Sequence, residues 1–226
     1  MILIDNLTKK YRSDEIETLA VRNVSLEVKT GDFLAIMGPS GSGKSTLLSL
    51  IGLLDRPSSG SYLLMGEETS QQKEGRLAQL RREHIGFVFQ SFNLIDELTV
   101  AENVELGLVY RKMSSQDRRD RIASAMDQVG IGHRANHFPF QLSGGQLQRA
   151  AIARTVACAP TIILADEPTG NLDSRNGSQV MNILRDLNSA GTTIIMVTHS
   201  RSQAEQANRI VSMQDGQLQQ NSTIFA

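Results

Sequence analysis

Residues 33–48 read Phe33-Leu34-Ala35-Ile36-Met37-Gly38-Pro39-Ser40-Gly41-Ser42-Gly43-Lys44-Ser45-Thr46-Leu47-Leu48, and this stretch decides the fold class. A short continuous apolar run is the pattern of a strand buried on both faces. The next eight residues fit the glycine-rich phosphate loop, which runs from a strand into a helix. The chemistry explains the residue types. A polyphosphate needs backbone N–H groups at close range, and Gly41 and Gly43 remove the Cβ atoms that would block that approach, in a loop that Gly38 opens. The helix that follows turns its positive end toward the phosphates. Lys44 brings a full charge. Ser45 brings a hydroxyl for Mg²⁺, a hard cation that takes oxygen ligands, and Ser40 and Thr46 lie beside them in the loop.

Outward from the loop, short apolar runs alternate with helical periods. Residues 2–7 and 21–28 have strand character, and the second places Val24, Leu26 and Val28 on one face. Residues 85–89, 161–165 and 192–198 read as further buried strands. The segment 174–189 carries Val180, Ile183, Leu184 and Leu187 at helical spacing. The pattern predicts a layered α/β core with a mixed, mainly parallel sheet and a small antiparallel sheet at the N-terminal end. Residues 91–159 carry helical periods without a convincing strand, so a helical subdomain is expected there, inserted between core segments 1–90 and 160–226. The basic tract 111–121 also holds Asp117 and Asp120 and reads as a solvated helix face.

Composition narrows the class. Of 226 residues, 40% are hydrophobic and 21% charged, which excludes a disordered chain. A net charge of -1 gives no basic footprint, so nucleic acid is not an expected partner. The single cysteine, Cys158, cannot form an internal disulfide and fits a reducing compartment. Asp5 follows the first apolar residues with no positive leader before them, unlike a signal peptide. The longest apolar stretch, 47–54, is broken by Ser49 and Gly52 and falls short of the roughly 18 to 20 residues of a membrane span.

Two further segments bear chemistry. Thr161-Ile162-Ile163-Leu164-Ala165-Asp166-Glu167-Pro168 is an apolar strand ending in two carboxylates. Neighbouring strand residues point to opposite faces, so one carboxylate is expected to serve Mg²⁺ and the other the attacking water. Pro168 is expected to keep Glu167 extended. In Leu142-Ser143-Gly144-Gly145-Gln146, Ser143 and Gln146 form a capping box for a helix through Val156. A cap does not require two glycines, each costing about 0.8 to 1 kcal/mol in a helix interior, and together they bare N–H groups for a second anion.

Residues 142–146 resemble the signature motif of the ATP-binding cassette (ABC) ATPases and lie where that family has it, between the phosphate loop and the acidic pair. The resemblance extends over essentially the whole chain. It takes in Tyr11, matching an adenine-stacking aromatic; Gln90, ending the strand 85–89; Asn171-Leu172-Asp173; and His199, after the strand 192–198. It implies an ATPase in which two copies close head to tail on ATP and Mg²⁺. Ser143, Gly144, Gly145 and Gln146 would then face the nucleotide held by the partner. Asp166 would serve the metal and Glu167 the attacking water. Gln90 would sense the metal and the water, Asp173 would couple the two sites, and His199 would contact the γ-phosphate.

Residues 85–94, 164–173 and 52–60 look like the lipoprotein-release and macrolide-export branch. That likeness implies the motor of an exporter at the cytoplasmic face of the cell membrane, working with a separate transmembrane permease and with a periplasmic adaptor as a further candidate partner. The alternative is an ATPase serving a membrane regulatory complex without transport. Leu147 stands where the family usually has glutamine, and Gly107 where it usually has proline.

Overall fold

The computed structural model describes residues 1–13, 16–219 and 223–224. In chain order the elements are β1 (Ile2–Ser13), β2 (Ile16–Val28), β3 (Phe33–Met37), α1 (Lys44–Ile51), β4 (Ser59–Leu64), β5 (Glu67–Glu68), α2 (Glu74–His84), β6 (Ile85–Phe89), α3 (Val100–Leu106), α4 (Ser115–Gln128), α5 (Gly144–Ala157), β7 (Ile162–Asp166), α6 (Ser174–Ser189), β8 (Thr193–Thr198), α7 (Arg201–Ala204), β9 (Arg209–Gln214), β10 (Gln217–Leu218) and β11 (Thr223–Ile224).

They form two sheets. An antiparallel sheet runs β2-β1-β4-β5, and the second runs β10-β9-β3-β8-β7-β6 with β11 beside β9. Strands β9, β3, β8, β7 and β6 are parallel to their neighbours, and β10 and β11 pair antiparallel with β9. The expected mixed, mainly parallel core and N-terminal antiparallel sheet are both present.

The period-2 alternation of the parallel strands decides what packs on each face. Leu34, Ile36, Ile162, Leu164, Ile195 and Val197 join α1 and the antiparallel sheet in one buried cluster. Their alternate neighbours Phe33, Ala35, Ile163, Ala165, Ile194 and Met196 join the helices between β6 and β7, together with α6, in the other. Both faces are therefore covered, which is why these strands read as unbroken apolar runs.

The helices α3, α4 and α5 fill the interval between β6 and β7 without a strand among the described residues. Gly107, at the end of α3, sits against α5: a Cβ there would lie 2.8 Å from both the Arg154 carbonyl oxygen and Cys158 Sγ. The departure noted there is thus a close helix approach. Residues 114–117 and 119–121 are exposed, as the solvated-face reading of the basic tract expected.

Candidate functional site

The parallel strands deliver their C-terminal ends to one edge, where the loops that follow β3, β6, β7 and β8 meet. Such an edge is where open α/β sheets place ligands. A cleft of about 900 Å³ opens there, lined by Ser40, Gly41, Gly43, Lys44, Ser45, Thr46, Gln90, Asp166, Glu167 and His199, with Thr18, Leu19, Ala20 and Arg22 of β2 and the Asp215-Gly216 turn on the other side.

Backbone shape forces glycine into the loop. Gly43 has φ +98°, and a Cβ on it would lie 2.2 Å from the Ala20 carbonyl oxygen; on Gly38 it would lie 2.1 Å from that of Met213. The loop is therefore wedged between β2 and β9. The buried Lys44 ammonium donates to the carbonyl oxygens of Gly38 and Pro39, both at 2.8 Å, across the mouth of the loop.

Ser45 Oγ donates to Asp166 Oδ1 at 3.2 Å. Burial pushes the Asp166 carboxyl above its ordinary value; the Glu167 charge adds to this, while the Ser45 hydroxyl and the Lys44 ammonium oppose it. A carboxyl raised in the folded state stabilises folding below its unfolded pKa near 4 and loses that contribution as pH rises through the raised value. In nucleotide-free and Mg²⁺-free buffer, Asp166→Asn is therefore expected to raise the melting temperature at neutral pH. The gain should shrink as pH falls toward about 4. A thermal-shift series across pH checks this; a gain independent of pH would contradict the cause given.

The acidic pair differs from the expectation. Strand β7 ends at Asp166, and Glu167 is not extended: its φ is +46°. Its N–H donates to the Val197 carbonyl at 3.0 Å, and its own carbonyl accepts from Gly170 N–H at 2.9 Å. Proline's clash with a preceding right-handed residue is escaped on the left-handed side, at a cost of roughly 1–2 kcal/mol. The turn, rather than strand alternation, sets apart the two carboxylates that line the same cleft. His199 Nδ1 lies 2.9 Å from Glu167 Oε1.

Gln90 is held by Asn171. Its amide nitrogen donates to Asn171 Oδ1 at 3.0 Å, and Asn171 Nδ2 donates to the Gln90 carbonyl at 3.1 Å. Tyr11 lies outside the cleft lining. Its hydroxyl donates to Asp55 Oδ2 at 2.9 Å, and the Lys9 ammonium sits 4.9 Å from its ring centre.

The capping box at α5 is formed: Ser143 Oγ accepts from Gln146 N–H, and Gln146 Oε1 accepts from Ser143 N–H at 3.0 Å. Gly145 has a use besides baring its N–H, because a Cβ there would lie 2.3 Å from Asn176 Oδ1. Asn176 is in turn held by Asp173, the N-cap of α6, which accepts from its backbone N–H at 2.9 Å and from its side-chain amide at 2.6 Å. Ser143, Gly144, Gly145, Gln146 and Asp173 do not line the cleft.

Several lining residues carry no motif. Thr18, Leu19, Ala20 and Arg22 belong to a strand whose alternation says nothing of a ligand. The Asp215-Gly216 pair is a hairpin-turn dipeptide and was open to detection. Among the described residues no cluster of three or more His, Cys, Asp or Glu could hold a metal by itself. The hydroxyl of Ser45, the carboxylate of Asp166 and the amide oxygen of Gln90 fit an Mg²⁺ ion that takes its remaining oxygens from nucleotide and water.

The family profile described as "ABC transporter" matches residues 21–170. The macrolide export ATP-binding/permease protein MacB of Azoarcus sp. is 48% identical over 218 residues, 96% of this chain and 33% of that protein. The chain thus spans about a third of the MacB relative's length. An uncharacterized ABC transporter ATP-binding protein of Methanocaldococcus jannaschii, MJ1508, is also 48% identical, with 97% of its length covered. Among solved structures, the dimeric post-hydrolysis cassette MJ0796 bound to ADP and phosphate superposes with a TM-score of 0.92 at 44% identity, covering 100% of this chain and 99% of that one. With a family profile over more than half of its length and relatives this similar, the chain belongs to the ABC transporter ATP-binding family.

Proposed function

We propose that this ABC ATPase is the motor of an export or extraction system for an amphiphilic cargo such as a lipoprotein, peptide or drug. Two copies close head to tail on ATP, and closure is passed to a transmembrane permease at the cytoplasmic face of the membrane. The carrying observation is the division of the site: phosphate loop, carboxylates, Gln90 and His199 share one cleft, whereas the N-terminus of α5 with Ser143, Gly144 and Gly145 opens elsewhere. An anion site standing apart from the cleft is supplied to a nucleotide by a second copy.

In this reading Lys44 and the N–H groups of the loop bind the β- and γ-phosphates, and Ser45, Asp166 and Gln90 hold Mg²⁺. When bound, the ion neutralises charge developing on the phosphate oxygens. Glu167 takes a proton from the water whose oxygen attacks the γ-phosphorus, as the bond to the bridging oxygen breaks and ADP leaves. His199, hydrogen-bonded to Glu167, holds that carboxylate in place and reaches the γ-phosphate. Tyr11 stacks on the adenine, and Asp173 couples the two sites by fixing Asn176 against Gly145.

Export is favoured by the likeness to MacB, a macrolide export ATP-binding/permease protein. A permease contact is supported by the exposed apolar side chains Ile95, Leu106, Val109 and Tyr110, all within the segment 91–110 that follows Gln90 in the chain. No helix among the described residues is long and apolar enough to cross a membrane.

Turnover per mole of the isolated chain should rise with protein concentration and level off as dimers form; a constant specific activity over a wide dilution series would reject the two-chain site. Membrane recruitment should require the permease, so binding to protein-free vesicles would reject the coupling.

A further inference from the structure

Gln148 is completely buried on α5, one turn beyond Gly144 on the same helix face. Its amide nitrogen donates to two backbone carbonyls, that of Pro168 at 2.6 Å and that of Phe89, which also accepts from Phe92 N–H, at 3.3 Å. Phe89 immediately precedes Gln90, and Pro168 immediately follows Glu167. Both bonds therefore end one residue from a proposed catalytic group. Meanwhile Gln148 Oε1 is buried without a hydrogen-bond partner. An unsatisfied buried polar atom costs about 1–3 kcal/mol. An apolar side chain of the same length would remove that orphan oxygen but would also withdraw the donor from the Pro168 and Phe89 carbonyls, so the amide serves these two bonds rather than the packing.

The geometry ties three bodies together. The start of α5 carries Ser143, Gly144 and Gly145, which in the proposed assembly meet the partner's nucleotide. The strand ends β6 and β7 lie side by side, with Phe89 opposite Asp166. Asn171 adds a second tie between the same strands' loops through its paired bonds to Gln90. Among the described residues, Gln148 is the side chain whose hydrogen bonds run from α5 both to the end of β6 and to the turn after β7.

We propose that Gln148 is a positioning residue of the hydrolytic site: its buried amide joins the helix that faces the partner chain to the backbone beside Gln90 and Glu167, so that docking of α5 on a nucleotide draws those two groups into register. The proposal rests on the assignment of Gln90 and Glu167 to the water and the metal. It does not place Gln148 in contact with nucleotide.

Gln148→Met keeps length and volume and removes both donors. At protein concentrations that saturate dimer formation, kcat is expected to fall about tenfold or more, while KM for ATP and the affinity for a fluorescent ATP analogue stay within about twofold. The decisive comparison is the same substitution in a Glu167→Gln background. A residue acting through Glu167 has little left to lose there, so the further loss should be under about twofold. An unchanged kcat in the parent background, or an equal factor of loss in both backgrounds, as general loosening would give, overturns the role. Should Gln148→Met fail to fold, Gln148→Leu supports the same cycle. A parent-like rate for Glu167→Gln alone is read separately and overturns the site assignment itself.

Discussion

In Glu167→Gln, ATP turnover is expected to fall by about 10²-fold or more while ATP still binds and a dimer accumulates in the ATP-loaded form. A positioned general base is worth 10² to 10⁴ in rate, and glutamine keeps the length and hydrogen-bonding reach of the side chain while removing its basicity. The structure adds a reason for binding to survive. The backbone of residue 167 is fixed by its bonds to Val197 and Gly170, so the left-handed turn does not depend on the carboxylate. The Asp166–Ser45 pair that would serve Mg²⁺ stands on neighbouring elements and keeps its own hydrogen bond. Substituting His199 should cost less than substituting Glu167, because His199 Nδ1 contacts Glu167 from an exposed position and supports the base rather than replacing it. Rapid quench of pre-bound ATP, with size-exclusion chromatography for the dimer, checks both statements. If Glu167→Gln turned over near the parent rate, the base would have to be sought at His199 or Gln90.

The parts of this site that were legible in the sequence are those whose chemistry is local. The phosphate loop is read from consecutive residues because a strand, a turn without Cβ atoms and a helix start must follow one another. The capping box at Ser143 and Gln146 is equally local, and it forms as expected. The buried parallel strands announce themselves because both of their faces are covered. By contrast, β4, β9 and β10 carry weak signals: β4 begins Ser59-Gly60-Ser61, and its strand state comes from pairing with β1. The backbone of Glu167 departs from the extended form because proline disfavours one region without choosing between the others, and its N–H is instead taken by the Val197 carbonyl of β8. Gly145 was read only as a bared N–H group, since nothing in its neighbourhood names Asn176 as the atom it must clear. Gln148 carries no motif at all, and Asn171 stands in the sequence only as part of the Asn171-Leu172-Asp173 run, with nothing to pair it with Gln90. Their partners lie 20 and 59, and 81, positions away along the chain, distances over which composition carries no information.

A second large effect is expected in the recovery of turnover on mixing two inactive chains. The first is Glu167→Gln, which retains ATP. The second is Gly144→Asp. A carboxylate in the first turn of α5 suits the positive end of that helix, so folding is spared. The nearest atom that the new side chain meets is the Leu172 Cδ2 methyl, 3.3 Å from the Cβ position, at the end of a flexible side chain. Yet the same carboxylate repels a phosphate brought to that helix end, and loss of a well-aimed donor site of this kind costs about 10² to 10³ in turnover. Each variant alone should thus be inactive at that level while still binding ATP, Glu167→Gln as the ATP-loaded dimer and Gly144→Asp in its intact cleft. If each nucleotide is sandwiched between the cleft of one chain and the α5 terminus of the other, a mixed dimer has one site with both lesions and one with neither. Random association makes half of the dimers mixed, and each has one of its two sites intact, so turnover should climb toward about a quarter of the parent value. Were both halves of the site supplied by one chain, every site in the mixture would carry one lesion, and the rate could never exceed the mean of the two variants measured apart. Titrating one variant into the other at fixed total protein therefore separates the two arrangements by the shape of the curve, which is a maximum near equal amounts for the shared site and a straight line for the self-contained one.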